Sequence, residues 1–229
     1  MALPAPGWGR LMVRRFRPMT AADLADLPEP CGACSFWQSS LVDLATSSDQ
    51  RRAATKQEWA EAVTRHWGYC GVAAYNDTEL VGHLTLAPAG HVPRLGAFAT
   101  TPVSPDAAVV VSVRVAEKHR GHGVGRHLVQ HAAALVARRD IRALEAVATY
   151  HEGPSCMLAA GWLESVGFTV VRPHPVTPRL RMDLQATQRW RPGLSAAWSR
   201  LTGLVPQPAA VEPATYARRE TDPLPLPPV

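Results

Sequence analysis

Apolar residues along the chain repeat with two different periods, and the changes of period delimit its elements. Residues 11–17 read as a short strand. Residues 21–27 have helical spacing, with Thr20 placed as N-cap and Asp23 at the third helical position. From residue 35 to 67 the positions Trp37, Leu41, Leu44, Trp59 and Val63 keep helical spacing, which predicts two helices split near Ser47-Ser48-Asp49. Residues 71–75 and 80–87 are strand-like runs around the turn residues Asn76-Asp77-Thr78, so a hairpin is expected. Residues 88–105 hold four prolines and two glycines and read as a long loop. The β-branched run 107–115 predicts a buried central strand, and residues 124–139 a helix with Leu128, Ala132, Leu135 and Val136 on one face. A strand at 143–148, a helix at 154–166 ended by Gly167, and strands at 168–171 and 180–184 complete the pattern. The expected division is a flexible N-terminus at 1–10, one domain at 11–184, a C-terminal helix at 185–202 and a proline-rich disordered tail at 203–229. No internal repeat is present.

Composition narrows the function classes. Hydrophobic residues make up 46% and charged residues 19%, enough apolar material for a packed core. The net charge of +5 comes almost wholly from arginines scattered along the chain, with Lys56 and Lys118 as the only lysines. Scattered charge argues against a nucleic-acid partner, although it suits a ligand bearing phosphates. No apolar h-region and no uncharged apolar run of about 18 residues occur, so neither a signal peptide nor a membrane partner is expected. Four cysteines in a chain of 229 residues do not make a disulfide scaffold, and a cytoplasmic, reducing location is expected.

The chemistry concentrates in residues 113–128, where a strand meets a Gly-rich loop and then a helix. That arrangement aims backbone N–H groups at one point at the positive end of a helix dipole, an anion site suited to a pyrophosphate. The loop lacks the Gly-Lys-Ser/Thr ending of a nucleotide P-loop and the spacing of the dinucleotide fingerprint. Its Arg120-Gly121-His122-Gly123-Val124-Gly125 resembles the coenzyme-binding motif of the GNAT N-acetyltransferase superfamily. The preceding strand, the following helix, the strand at 143–148 and the later Gly167-Phe168 fall in that family's order. The resemblance implies an α/β fold with a mixed, mostly antiparallel sheet of six or seven strands flanked by helices. It implies acetyl-CoA as co-substrate and an acetyl group moved to an amine acceptor, small molecule or protein, by direct attack in a ternary complex. N–H groups of Arg120, Gly121, His122, Gly123, Val124, Gly125 and Arg126 would hold the pyrophosphate. Val113 and Val115 would pair with the pantetheine arm, with an N–H near Val113 polarising the thioester carbonyl. Tyr150 and His151 would lie near that arm. A monomer or homodimer is expected.

The sequence also departs from the family. The tyrosine that family members use as general acid, four residues before Gly-Phe, is Leu163 here, and residues 107–115 hold no carboxylate to serve as base. Candidate catalytic groups are therefore Tyr150, Cys156 and Glu145, with Glu117 and His151 beside them; Glu145 reads equally as one half of a cross-strand ion pair. Cys156 is expected in the first turn of a helix, where a thiol pKa falls. Cys31-Gly-Ala-Cys34-Ser-Phe-Trp37 lies outside the superfamily pattern and, with the Pro-Val-Ser-Pro-Asp stretch at 102–106, resembles a bacterial branch of it. The two thiols could pack as core, form half of a zinc site or act as a redox pair; no metal is expected. His119, His122, His127 and His131 read as a mildly basic face near the phosphates, and His91 and Arg94 as possible lining of an acceptor pocket. A second reading is a non-catalytic module that binds acetyl-CoA and reports redox state.

Overall fold

The computed structural model describes residues 14–151 and 156–184. The expected N-terminal arm, the C-terminal helix and the proline-rich tail lie outside the described residues.

Seven strands run in the order β1-β2-β3-β4-β5-β8-β7, and a two-residue β6 pairs with β5. They are β1 Arg14–Met19, β2 Gly71–Asn76, β3 Glu79–Pro88, β4 Ala107–Val115, β5 Ala143–Thr149, β6 Leu158–Ala159, β7 Thr169–Arg172 and β8 Arg179–Asp183. Neighbours are antiparallel except β4/β5 and β5/β6. The sheet is thus one short strand larger than the six or seven expected. The helices are α1 Leu41–Thr46, α2 Asp49–Trp67, α3 Val124–Val136 and α4 Ala160–Ser165. Among the described residues no helix is long and apolar enough to cross a membrane.

Local chemistry explains most boundaries. Ser40 and Ser48 cap α1 and α2, their hydroxyls accepting from the N–H groups of Asp43 and Arg51. Gly68 ends α2 at φ +79°, where a β-carbon would be strained. The helix expected over residues 21–27 is a 3-10 helix over 21–26. Asp23 Oδ2 takes both the Thr20 N–H at 2.7 Å and its hydroxyl at 3.1 Å, tightening the turn. The proline loop is not structureless: Ala89–His91 and Pro93–Ala97 are 3-10 turns. The last helix is shorter than the periodicity predicts, because residues 158–159 pair with β5 before α4 begins.

The sheet separates two cores. On one face α3 and α4 bury Leu128, Val136 and Leu163 against Leu84, Val110 and Leu144. Full burial of such side chains contributes about 1.5–3 kcal/mol each. On the other face α2 and residues 19–37 bury Trp37, Trp59 and Val63 against Val109, Val111 and Val147. At Gly82 a β-carbon would meet the Arg114 carbonyl at 2.9 Å and Val124 at 3.3 Å. The missing side chain lets the start of α3 settle directly on β3 and β4, which positions the site.

Candidate active site

β4 and β5 pair only at 107–109 with 143–145 and then diverge. Opposite the divergence, β3 and β4 shift register between Thr85 and Leu86, so Val111 is an extra residue in β4. Beyond it, the Ala116 N–H points at Val81 of β3. Backbone groups alternate sides along a strand, so those of Val113 and Val115 face the open edge. The Val115 carbonyl accepts from Arg120 Nε at 3.2 Å.

A cleft of about 540 Å³ opens at that edge, within the size range of ligand sites. Val113 and Val115 line it from β4, Arg120, Gly121 and Gly123 from the loop, and Val124, Gly125 and Arg126 from the first turn of α3. Trp162 and Ser165 form the far wall. Gly121 and Gly123 take φ of +74° and +78°, the left-handed region that glycine enters without strain. The first turn of α3, whose N–H groups have no partner within the helix, stands at the wall of the cleft.

Two residues of the loop make contacts within it. The Arg120 N–H donates to the Glu117 carbonyl at 3.1 Å, closing a 3-10 turn, so its guanidinium rather than its amide serves the edge. The His122 side chain turns back to the Arg120 carbonyl at 2.6 Å and does not line the cleft. The Arg126 guanidinium donates to the Ser165 carbonyl, tying α3 to α4.

A second cleft, with a cavity of only about 20 Å³, lies on the opposite face of β4, lined by Cys31, Cys34, Trp37, Lys56, Arg114 and Cys156 together with 111–113. Val113 lines both clefts. Pocket residues from the N-terminal turn, from α2 and from the segment before β6 thus meet at the strand that edges the first cleft. Lys56 is only 4% exposed, and its ammonium donates to the Cys31 carbonyl at 2.6 Å. Burial lowers its pKa, against the pull of the nearby thiols. His83 is 1% exposed; burial, reinforced by the Lys56 and Arg114 charges, drops its pKa to about 3. It is therefore neutral at working pH.

The thiols hold a surprise for the sequence reading. Cys34 is hydrogen-bonded to Cys156, not paired with Cys31. The Cys156 thiol, the Phe36 N–H and the charges of Lys56 and Arg52 favour a Cys34 thiolate against the cost of burial, bringing its pKa to about 6. Cys156 is correspondingly pushed up, by its bond to Cys34 and by burial. The expectation of an acidified Cys156 is thus corrected. It precedes β6 rather than opening a helix, so no helix dipole acts on it. Among the described residues, no three His, Cys, Asp or Glu side chains are placed to hold a metal ion.

The other candidates fall elsewhere. Glu145 is 0% exposed. One oxygen takes Arg181 at 3.1 Å, and the other takes Arg179 and the Ser104 N–H. Both oxygens are engaged within the sheet, which leaves neither turned to a substrate. Tyr150 is 52% exposed just past β5 and lines neither cleft, and His151 is exposed beside it. Leu163 is fully buried in the α3–α4 core. The expected basic histidine face is partly aromatic packing: Phe16 stacks on His131 at 4.6 Å and meets His127 edge-on. His91 pairs with His66 at 3.1 Å, and Arg94 lies over the Phe36 ring.

No curated protein matches this sequence. Among solved structures, the chain is similar to the PaiA N-acetyltransferase of Thermoplasma acidophilum, solved with coenzyme A. Identity is 13% over 75% of this chain and 99% of that one, with a TM-score of 0.50. It is also similar to YncA of Salmonella typhimurium, solved with acetyl-CoA, at 18% identity over 75% of this chain and 94% of that one, with a TM-score of 0.49. The likeness to the first is one of fold. The profile described as "Acetyltransferase (GNAT) family" matches residues 34–159, from Cys34 through the loop and α3 to β6. That match takes in more than half of the 229 residues, and the chain belongs to the GNAT acetyltransferase family.

Proposed function

We propose that this protein transfers an acetyl group from acetyl-CoA to an amine that enters from the thiol-lined side of β4. The observation that carries the reading is the pair of clefts meeting at Val113, one lined by the glycine loop and the first turn of α3 and the other a small cavity lined by titratable groups. The pyrophosphate would sit on the N–H groups of 121 and 123–126, and the pantetheine arm would pair with the open edge at Val113 and Val115. The thioester carbonyl, placed against the Val113 N–H, would be polarised there, and the same donor would stabilise the oxyanion of the tetrahedral intermediate. The amine attacks from the opposite face in a ternary complex. Cys34 is the base this geometry supports: it faces that side, and a pKa near working pH suits proton abstraction. Glu145 is assigned to the sheet and not to catalysis. Solved relatives bound to coenzyme A and acetyl-CoA support the choice of co-substrate.

The test is acceptor-dependent release of coenzyme A, separated by chromatography, against a panel of amino acids, polyamines, aminoglycosides and peptides. At least one class should release it faster than hydrolysis does. Coenzyme binding without release by any acceptor would favour the non-catalytic module instead. In Cys34→Ser, kcat should fall about a hundredfold, the usual scale for loss of a positioned base, with coenzyme affinity unchanged. The wild-type kcat should rise with pH through about 6, the direction for a base that must lose its proton. An unchanged profile in Cys34→Ser would remove Cys34 from that role.

A further inference from the structure

We propose that Cys34 and Cys156 are a peroxide-reactive thiol pair that closes to a disulfide and blocks the acceptor-side cleft. The two residues lie more than a hundred positions apart, yet their thiols meet in one hydrogen bond within the same cleft. Cys34 sits on a tight turn, its N–H donating to the Pro30 carbonyl at 2.9 Å. Cys156 is held opposite by its carbonyl, which accepts from Trp37 Nε1 at 3.2 Å. Trp37 and Cys34 belong to the same short segment, so this bond holds the Cys156 backbone beside that segment.

The surroundings divide the roles. Cys34 faces Lys56 and Arg52 from α2, receives the Phe36 N–H and accepts from Cys156, all of which favour its thiolate. The other groups nearby are Arg114 of β4 and Glu29, which bear on Cys31. Cys31 is pushed up by burial; the thiol bonded to Cys34 is that of Cys156. Cys70 is fully buried with its pKa raised to about 11, an internal control for an inert thiol. Cys34 and Cys156 are both only partly buried and border a small cavity of about 20 Å³, room for a water-sized oxidant such as hydrogen peroxide.

The chemistry balances with a hydroperoxide as oxidant. The Cys34 thiolate attacks the terminal oxygen, the O–O bond breaks and an alcohol leaves once protonated, giving a Cys34 sulfenic acid. The Cys156 sulfur then attacks Cys34 and water leaves with the thiol proton. The two thiols supply the two electrons that reduce the hydroperoxide. The S–S bond consumes the proposed base and ties the N-terminal turn to the segment before β6, across the side of β4 lined by 111–114. The coenzyme cleft on the opposite face is untouched. The thiol chemistry stands on the cluster alone, and only the loss of transfer rests on the acetyltransferase reading.

The full chain is treated with hydrogen peroxide, digested and mapped by mass spectrometry, with thiols counted in parallel. Two of the four thiols should be lost, in a Cys34–Cys156 crosslink reversed by dithiothreitol. The rate in reduced protein should rise with a midpoint near pH 6. Cys156→Ser should stall at a Cys34 sulfenic acid trapped by dimedone, and Cys31→Ser should still form the Cys34–Cys156 crosslink. A Cys31–Cys34 crosslink, no loss of thiols, or a midpoint at about 8.5, the ordinary range of a free thiol, overturns the proposal. Oxidised protein should bind acetyl-CoA as tightly as reduced protein while losing transfer, restored on reduction. Retained transfer in the crosslinked form overturns the blocking role. If reduced protein shows no transfer, the acetyltransferase reading fails and the thiol readouts still decide the pair.

Discussion

Replacing Glu145 by alanine is expected to cost about 3–5 kcal/mol of stability at neutral pH, the range for removing one partner of a buried ion pair. The carboxylate is wholly buried and bridges Arg179 and Arg181, whose side chains are only 12% and 16% exposed. Its loss leaves two guanidiniums in the sheet without their central acceptor, although Arg181 keeps Asp106 at 2.9 and 3.0 Å and Asp183 at 2.8 Å. For a domain of this size, Tm should fall by roughly 10 °C. The pH dependence has a definite sign. Burial alone would raise the Glu145 pKa, but bonds from Ser104, Arg179 and Arg181 outweigh it and hold the carboxyl below 4.5. A depressed folded-state pKa gives stability present above the unfolded value and lost as pH falls through the folded one. The gap between wild type and Glu145→Ala should therefore be full at pH 7 and narrow below about 4.5. Glu145→Gln keeps the shape and one acceptor and should lose less. Its folded fraction should transfer acetyl at the wild-type rate, because both carboxylate oxygens serve the sheet. A stable Glu145→Gln with a collapsed kcat would return Glu145 to the catalytic list.

The contrast between Glu145 and the glycine loop shows what a single chain discloses. The loop was legible because its parts are contiguous: a β-branched strand, glycines where the backbone turns left-handed, and an amphipathic helix lie within residues 107–136. Local chemistry suffices to define such a unit. For Glu145 the sequence leaves a catalytic role and a cross-strand ion pair equally open, because its partners lie on β8 and near Ser104 and nothing in residues 143–149 signals that two arginines converge there. The Cys34–Cys156 contact is equally hidden, since it joins residues 122 positions apart that no local spacing connects. Helix ends fared in between. Ser40, Ser48 and Gly68 mark theirs by capping. The start of α4 is set by pairing of residues 158–159 with β5, a tertiary event that periodicity does not report. Leu163 was read correctly as a departure from the family, and its burial against the α3 core explains why no polar group occupies it.

The largest functional effect is expected at the loop. Gly123→Glu and Gly125→Glu should each weaken acetyl-CoA binding at least about a hundredfold, or about 2.8 kcal/mol at 1.4 per tenfold. The two act by different routes. At Gly123 the backbone is left-handed, φ +78°, and a β-carbon there costs about 1–2 kcal/mol and disfavours the turn that directs the N–H groups. At Gly125 a β-carbon would meet Trp162 Cζ2 at 3.0 Å, so the indole must yield or the cleft narrow. Either glutamate also puts a negative charge where the helix dipole and free N–H groups favour an anion. Alanine separates these contributions. Gly123→Ala should lose stability and affinity together, through the strained turn. Gly125→Ala should lose less of both, because only a few tenths of an ångström are asked of Trp162. Gly90→Ala, where a β-carbon meets nothing within 4 Å, should change neither. Calorimetric titration with acetyl-CoA, alongside thermal melting, gives both numbers for each variant. A folded Gly125→Glu that binds the coenzyme as wild type does would show that the phosphates lie elsewhere, and the assignment of the cleft beside Val113 would fall with it.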